Sequence, residues 1–285
     1  MRYLLSATFP MIFLMVSAPS LAADKAGYSL FNPTPPAQLR ELSTDRPDKT
    51  ESPYTVDAGH YQIEMDIVSY THDHDKSGGA NTVANGYGVG VTNFKMGLSQ
   101  STDLQFVVES YLYADVKDKL TGAKADASGF GDVTVRLKHN IFGNDGGDSA
   151  FAVMPFVKLP TNTDNLGNND VEGGLIVPYG FALTDSIGMG VMTQINANKD
   201  TDDSGYHAEF VNSVTVSTGL TDALSAYAEF FTSRATESDR HWENTLDFGV
   251  TYGVGDNLQF DAGINIGVTD AADDYNPFVG VSYRW

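Results

Sequence analysis

The chain has 285 residues, no cysteine and a formal net charge of −20. Its hydrophobic fraction of 41% is too high for a disordered chain and too low for a bundle of membrane helices. Binding to phosphate groups needs a basic face, so the acidic excess argues against nucleic acid as a partner. Without disulfides, an exported form would need a large core or a closed network of hydrogen bonds.

Residues 1–22 have the pattern of a secretory signal peptide. Arg2 supplies the positive charge, the apolar stretch Tyr3–Val16 follows, and Ser20 and Ala22 are the small residues that precede a cleavage site. The apolar stretch is too short for a good transmembrane helix, and no run of about 18 apolar residues occurs later. The mature protein is therefore predicted either to be soluble or to span a membrane as a β-barrel.

Residues 23–58 differ in composition from the rest of the chain. They hold five prolines and show no hydrophobic periodicity. We expect this segment to be extended, either in the periplasm or as a plug within a barrel. Four of its charged residues could pair with charges in a barrel lumen: Arg46, Asp48, Lys49 and Glu51.

From residue 59 onward, apolar and polar residues alternate. In Thr245–Val254, for example, Leu246, Phe248 and Val250 alternate with Asp247 and other polar or small residues. A period of two over about ten residues predicts strands with one apolar and one polar face, long enough to cross a bilayer when tilted. Residues 59–285 are thus predicted to form an all-β, transmembrane, antiparallel up-and-down β-barrel of about twelve strands. The predicted strands are 59–71, 86–99, 103–114, 130–142, 149–160, 172–183, 186–197, 205–220, 223–234, 242–254, 257–268 and 275–285.

The predicted connections alternate in length. Those after even strands are short, as at Thr184–Asp185, Thr221–Asp222 and Gly255–Asp256. Those after most odd strands are longer, as at Asp115–Gly129 and Thr161–Val171. Short turns on the periplasmic rim and long loops on the outer rim are typical of bacterial outer-membrane barrels. An even number of strands would leave both chain ends on the periplasmic side.

The last strand ends in an aromatic residue. Trp285, with Tyr283 two residues before it and Gly280 five before it, resembles the assembly signal of bacterial outer-membrane proteins. Phe278 departs from that pattern, which prefers a polar residue at its position. The resemblance implies recognition by the barrel assembly machinery and insertion into the outer membrane of a Gram-negative cell.

Several short blocks resemble one outer-membrane family, described as "putative meta-pathway of phenol degradation" or simply as transporters. The blocks are Ser43–Asp48 with Thr50–Pro53, Ala58–Glu64, Gly129–Val133, Pro155–Thr161 and Glu172–Leu175. The resemblance covers roughly residues 43–285. It implies a channel or transporter for small molecules, with aromatic or apolar compounds as candidates.

Function in such a barrel would reside in the lumen. The alternation places seven acids and five bases inward, which predicts either a network of internal ion pairs or an acid-biased conduit. The candidate lumen residues are Glu64, Asp66, Lys95, Glu109, Arg136, Lys138, Lys158, Glu209, Glu229, Asp247, Asp261 and Arg284.

Two other classes of function remain open from the sequence. One is a structural or adhesion barrel without an open pore, and the other is an outer-membrane hydrolase. There is no Gly-x-Ser-x-Gly motif and no Ser/His/acid group that alternation would bring to one rim, so no catalytic residue is predicted. No cofactor and no metal site are predicted, since the histidines His72, His74, His207 and His241 come from separate loops. The expected partners are outer-membrane lipid, lipopolysaccharide and small solutes.

Overall fold

A computed structural model of the protein describes residues 25–167, 169–200, 205–237 and 241–285. The predicted signal peptide, residues 1–22, lies outside the described residues. Within them, the chain is all-β apart from two single-turn 3-10 helices, and no helix there has the length and apolar character needed to cross a membrane.

The strands form one antiparallel sheet that closes on itself, because the first strand pairs with both the second and the last. Two short strands, β4 and β5, together form the fourth strand of the barrel, so the closed barrel has the predicted twelve strands. The strands are β1 Tyr61–Asp75, β2 Thr82–Ser99, β3 Thr102–Asp118, β4 Lys124–Gly129, β5 Val133–Phe142, β6 Ser149–Leu159, β7 Glu172–Ala182, β8 Ile187–Lys199, β9 Tyr206–Gly219, β10 Leu224–Ala235, β11 Glu243–Val254, β12 Leu258–Gly267 and β13 Tyr275–Arg284.

Each strand separates an apolar outer face from a polar inner face. In β11, Phe248 and Val250 are exposed on the outside, whereas Asp247 is fully buried on the inside. A closed barrel pairs every backbone group along its strands, and an apolar exterior matches the hydrocarbon of a bilayer. This architecture is that of an outer-membrane β-barrel, which places the protein in the outer membrane.

The first three strands and the fourth differ from their predicted bounds. β1, β2 and β3 each extend four residues further toward the outer rim, so His72 and His74 lie on β1 and not in a loop. Side-chain hydrogen bonds prolong the pairing there, as between His72 Nδ1 and Asn85 Oδ1 at 2.9 Å. The predicted long loop Asp115–Gly129 is largely strand, because β3 and β4 pair across it. The predicted strand 130–142 is broken at residues 130–132, where the chain leaves the ladder between β4 and β5.

Residues 25–58 lie against the inner side of this wall. They begin at the periplasmic rim, where Leu30 N–H donates to the carbonyl of Leu98, and they return there to join β1. Between these points the segment doubles back on itself: the hydroxyls of Ser43 and Ser52 are 2.8 Å apart, and Ser52 N–H donates to Asp45. Proline-rich chain can follow such a path because it needs no sheet partner. We call residues 25–58 the inner segment.

Candidate functional site: the barrel lumen and the inner segment

Arg46 of the inner segment contacts two carboxylates of the barrel wall. Its Nη1 lies 2.5 Å from Asp66 Oδ1 on β1, and its Nη2 and Nε lie 2.7 and 3.2 Å from the two oxygens of Asp261 on β12. The guanidinium carbon also lies 5.5 Å from the centre of the Phe278 ring. A bidentate pair with a carboxylate is among the stronger side-chain interactions, so this contact fixes both position and orientation.

A second set of contacts follows a few residues along the segment. The ammonium group of Lys49 lies 3.4 Å from Asp247 on β11 and 4.5 Å from the Phe231 ring centre. Lys49 N–H and the Thr50 hydroxyl donate to the two oxygens of Glu229 on β10, at 2.8 and 2.6 Å. The acids on β1 and on β10–β12 therefore form an acidic sector of the wall, and the cations of the inner segment face it.

A basic sector of the wall faces the acids of the inner segment. Asp45 pairs with Lys95 on β2 and, at 2.5 Å, with Lys138 on β5, and Lys95 also pairs with Glu64 of the wall. Arg136 Nη1, also on β5, lies 2.7 Å from Glu51. Unpaired charges are costly in a buried interior, so the match between these two sectors favours one position of the segment inside the barrel.

The periplasmic end is closed by a further charge cluster. Asp57, only 1% exposed, accepts a hydrogen bond from Arg40 Nε at 2.9 Å and lies 3.5 Å from Arg284 Nη1. Lys25 Nζ lies 2.8 Å from Asp145 in the turn between β5 and β6. Partial burial acts to raise the pKa of Asp145, but the hydrogen bonds from Lys25 and Gln100 and the charge of Arg40 hold it below its ordinary value. These contacts anchor both ends of the inner segment to the periplasmic rim.

Several glycines leave room for the inner segment. A Cβ at Gly280 would overlap the guanidinium of Arg46, and a Cβ at Gly97 would overlap the backbone of Asp57. A Cβ at Gly190 would lie 3.2 Å from the Thr50 methyl group. Three wall positions from separate strands thus lack a side chain where the inner segment passes.

A separate polar cluster lies toward the outer rim. Asp132 Oδ1 accepts hydrogen bonds from the backbone N–H groups of Thr161 and Asn162, both at 3.1 Å. Lys158 lies 3.5 Å from Asp132 and 3.1 Å from Glu172. This cluster joins three of the blocks on which the sequence resemblance rests, and it fixes the start of the loop between β6 and β7.

The structure distributes the twelve candidate lumen residues over these clusters. Glu64, Asp66, Lys95, Arg136, Lys138, Glu229, Asp247, Asp261 and Arg284 contact the inner segment. The other three lie toward the outer rim. Lys158 belongs to the cluster around Asp132, Glu109 accepts a hydrogen bond from Asp132 N–H at 2.8 Å, and Glu209 accepts from Asn196 and Asn198.

Sequence reasoning did not single out six acidic residues of these clusters as site residues: Asp45, Asp57, Asp103, Asp132, Asp145 and Glu172. Asp45 and Asp57 come from the aperiodic segment, where no pattern marks a direction for a side chain. Asp103 lies on β3 facing inward, where it accepts a hydrogen bond from Val56 N–H at 3.0 Å. Its alternation with Leu104 could have identified it. Asp132 lies in the break between β4 and β5, where the pattern ends.

The residues of the predicted assembly signal lie at the end of β13. Trp285 is 49% exposed and stacks with Tyr61 and Tyr283, both at 5.9 Å between ring centres. Phe278, which departs from the signal pattern, is buried on the inner side beneath Arg46. An apolar ring at this position is therefore accounted for by its packing against Arg46 in the lumen and not by the assembly signal.

One group within the described ranges has the composition of a metal site, although none was predicted. Ligand atoms of Asp200, His207 and Glu237 lie within 4.8 Å of one another near the outer rim. His207 Nδ1 is 3.0 Å from Asp200 Oδ1, so a hydrogen bond already accounts for that contact. His72, His74 and His241 are not part of this group.

The closed barrel, its apolar exterior and its charged lumen define an outer-membrane β-barrel with an internally bound N-terminal segment. A sequence profile of the family described as "Putative MetA-pathway of phenol degradation" matches residues 44–285, so the chain belongs to that family. No match by sequence was found among curated proteins.

Solved structures show the same fold at low identity. The NanC porin is 9% identical over 78% of this chain and 98% of its own, with a TM-score of 0.51. The transport unit of the autotransporter AIDA-I from Escherichia coli is 9% identical over 85% and 92%, also at 0.51. The β domain of the Bordetella autotransporter BrkA is 10% identical over 79% and 99%, again at 0.51. A porin and two autotransporter domains share this barrel, so the fold alone does not choose between their functions.

Proposed function

We propose that this protein is an outer-membrane channel for small solutes and that the inner segment closes its lumen in the state described here. The observation that carries the proposal is that acids of the barrel wall form their ion pairs with the inner segment. Asp66, Asp247 and Asp261 of the wall pair with Arg46 and Lys49 of a segment outside the sheet. These contacts inside the lumen are made by side chains of the wall, so this part of the segment can leave without breaking the barrel's strand pairing.

The size of the barrel supports the same function. A barrel of about eight strands is filled by its own side chains, whereas one of about sixteen leaves a water channel. Twelve strands leave room for a narrow path or for a segment that blocks it. Membership of the family favours small aromatic or apolar compounds as solutes. We propose a conduit and not an enzyme, with outer-membrane lipid, lipopolysaccharide and the barrel assembly machinery as its partners.

Conductance in a planar bilayer tests this function. The intact protein should give a small conductance with a mild preference for cations, because acids outnumber bases on the lumen wall. Deleting residues 23–58 should raise the conductance. A structural barrel without a pore would conduct in neither form, and a reversal potential that shows anion selectivity in the intact protein would refute the charge argument.

Neutral variants test which acids set the preference. Replacing Glu109 and Asp247 together by Gln and Asn should reduce the preference for cations. Asp185→Asn, in an exposed turn between β7 and β8, removes one negative charge outside the lumen and should leave the preference unchanged. Equal effects of the two changes would place the selectivity outside the lumen.

A further inference from the structure

The wall around Arg46 has the shape and chemistry of a binding site for a planar cation. Asp66 on β1 and Asp261 on β12 are both paired in register with Gly280 on β13, so the three residues form one row across three strands. The two carboxylates lie on either side of Gly280. Because Gly280 has no side chain, a space remains between them. Arg46 fills that space with its guanidinium.

An aromatic ring completes the site. Phe278, two residues before Gly280 on the same strand, faces inward, and its ring centre lies 5.5 Å from the guanidinium carbon. An aromatic face next to a desolvated cation adds to the attraction of the carboxylates. The site thus combines a carboxylate that takes two hydrogen bonds, a second carboxylate and a ring, the groups that a guanidinium recognises.

The wall provides every part of this site except the occupant. Among the described residues, the ion pairs of Asp66 and Asp261 are made with Arg46, and no lysine or arginine of the wall pairs with either. Two carboxylates in a buried row need a cation, because their mutual repulsion and loss of solvation are otherwise uncompensated. When the inner segment withdraws, the two carboxylates lose Arg46, and a cation from solution can take its place.

We propose that the row Asp66–Gly280–Asp261, with Phe278, is a solute-binding site of the open channel for organic cations of the guanidinium class, and that Arg46 occupies it as an internal ligand in the closed state. This inference rests on the proposed channel function and adds a class of solute to it. Lys49 near Asp247 and the Phe231 ring repeats the combination of a carboxylate and an aromatic face further along the lumen, where Asp247 is in register with Asn265 of β12, two inward-facing positions from Asp261. The wall thus offers a passing cation a second position.

Guanidinium chloride at millimolar concentration is the probe, and the full-length Arg46→Ala protein is the receptor. Guanidinium should block the conductance of this variant and raise its unfolding temperature in detergent micelles. Urea has the same planar shape without the charge, and sodium chloride at matched ionic strength has the charge without the shape. Neither should reproduce the effect. In the wild type, where Arg46 fills the site, guanidinium should act more weakly.

Two second-site changes test whether the site is the one described. In the Arg46→Ala background, Asp261→Asn should weaken the apparent affinity for guanidinium by about tenfold or more, because a charge-assisted hydrogen-bond pair is lost. Gly280→Ala in the same background should also weaken it, because the added methyl group occupies the guanidinium position. If Arg46→Ala does not fold, Arg46→Gln serves as the receptor, since glutamine retains part of the side chain but carries no charge to occupy the site.

The outcomes separate this inference from the channel function. A variant that conducts but responds to guanidinium no more than to urea and sodium overturns the binding site and leaves the channel intact. A response that persists unchanged in both second-site variants also overturns it. Stabilisation by guanidinium that depends on Asp261, in a protein that never conducts, supports the site and contradicts the channel.

Discussion

Gly280 shows at the scale of one residue how the wall is adapted to the inner segment. Gly280→Ala should lower the free energy of unfolding by about 1–3 kcal/mol, as overpacking does, because the methyl group would displace the Arg46 guanidinium. In an Arg46→Ala background the same change should alter the free energy of unfolding by less than about 0.5 kcal/mol, since the two side chains would no longer touch. Urea unfolding from lipid vesicles measures both values.

Gly253→Ala is the matched control, because a Cβ there would only make an ordinary 3.9 Å contact with the Ala223 carbonyl oxygen. An equal loss on Gly280→Ala in both backgrounds would mean that Gly280 acts in assembly, as its place in the C-terminal pattern suggests, and not as a seat for Arg46.

The limits of sequence reasoning are also visible at this scale. Alternation predicts that Asp66 and Asp261 face inward, because successive side chains of a strand point to opposite faces of the sheet. It does not predict that they share a row with Gly280, since register depends on how strands far apart in the chain pair. Nor does it predict the partner of either residue, because Arg46 lies in a segment with no periodicity.

At the scale of elements, the pattern predicted most strands to within two residues and failed at two kinds of place. The hairpin of β1 and β2 extends further toward the outer rim than predicted, and polar side chains such as His72 and Asn85 hydrogen-bond across it. Apolar alternation carries no information there. The break between β4 and β5 arises where Gly131 packs against Glu109, a contact between strands that the local pattern cannot show.

The second prediction concerns the final strand, β13. Trp285 stacks with aromatic residues of β1 and β13 at the periplasmic edge, where aromatic belts form. Deleting Trp285 should lower the amount of folded, heat-modifiable protein in the outer membrane. Leu220→Ala, at an exposed periplasmic turn, is a control that should leave the yield unchanged. A normal yield without Trp285 would contradict its role in assembly.

The third prediction concerns which connections between strands lie on the cell surface. A protease site inserted after Asp164, in the outer loop between β6 and β7, should be cleaved on intact cells. The same site inserted at Asp222, in a short turn on the rim that holds both ends of the barrel, should be protected. Cleavage at Asp222 on intact cells would contradict this orientation of the barrel, because it would place the short turns on the cell surface.

At the scale of the whole molecule, the lumen has two charged sectors and the inner segment matches both. Its acids Asp45 and Glu51 face the basic sector, and its cations Arg46 and Lys49 face the acidic one. Asp48 is the exception to the expected pairing, because it lies near Glu229 of the acidic sector.

Such complementarity fixes register and orientation more than it adds net stability. The segment is therefore held in one defined position. Among the described residues its sheet pairing with the wall is a single bridge, between Ser29 and Ser99 at the periplasmic rim, so the part inside the lumen could be released without breaking a ladder.

The central claim is that the inner segment controls the path, and a reversible tether tests it most directly. The hydroxyl oxygens of Thr50 and Ser213 are 2.6 Å apart, and the chain has no cysteine, so Thr50→Cys with Ser213→Cys offers a single disulfide between segment and wall. Thr193→Cys with Asn212→Cys joins β8 to β9 without touching the segment and is the control.

Single-channel conductance should be measured in planar bilayers before and after a reductant is added. The oxidised Thr50–Ser213 pair should hold the channel closed, and reduction should release openings with a mild preference for cations, whereas the control pair should behave alike in both states. Equal conductance of the oxidised and reduced Thr50–Ser213 protein would contradict control of the path by the inner segment.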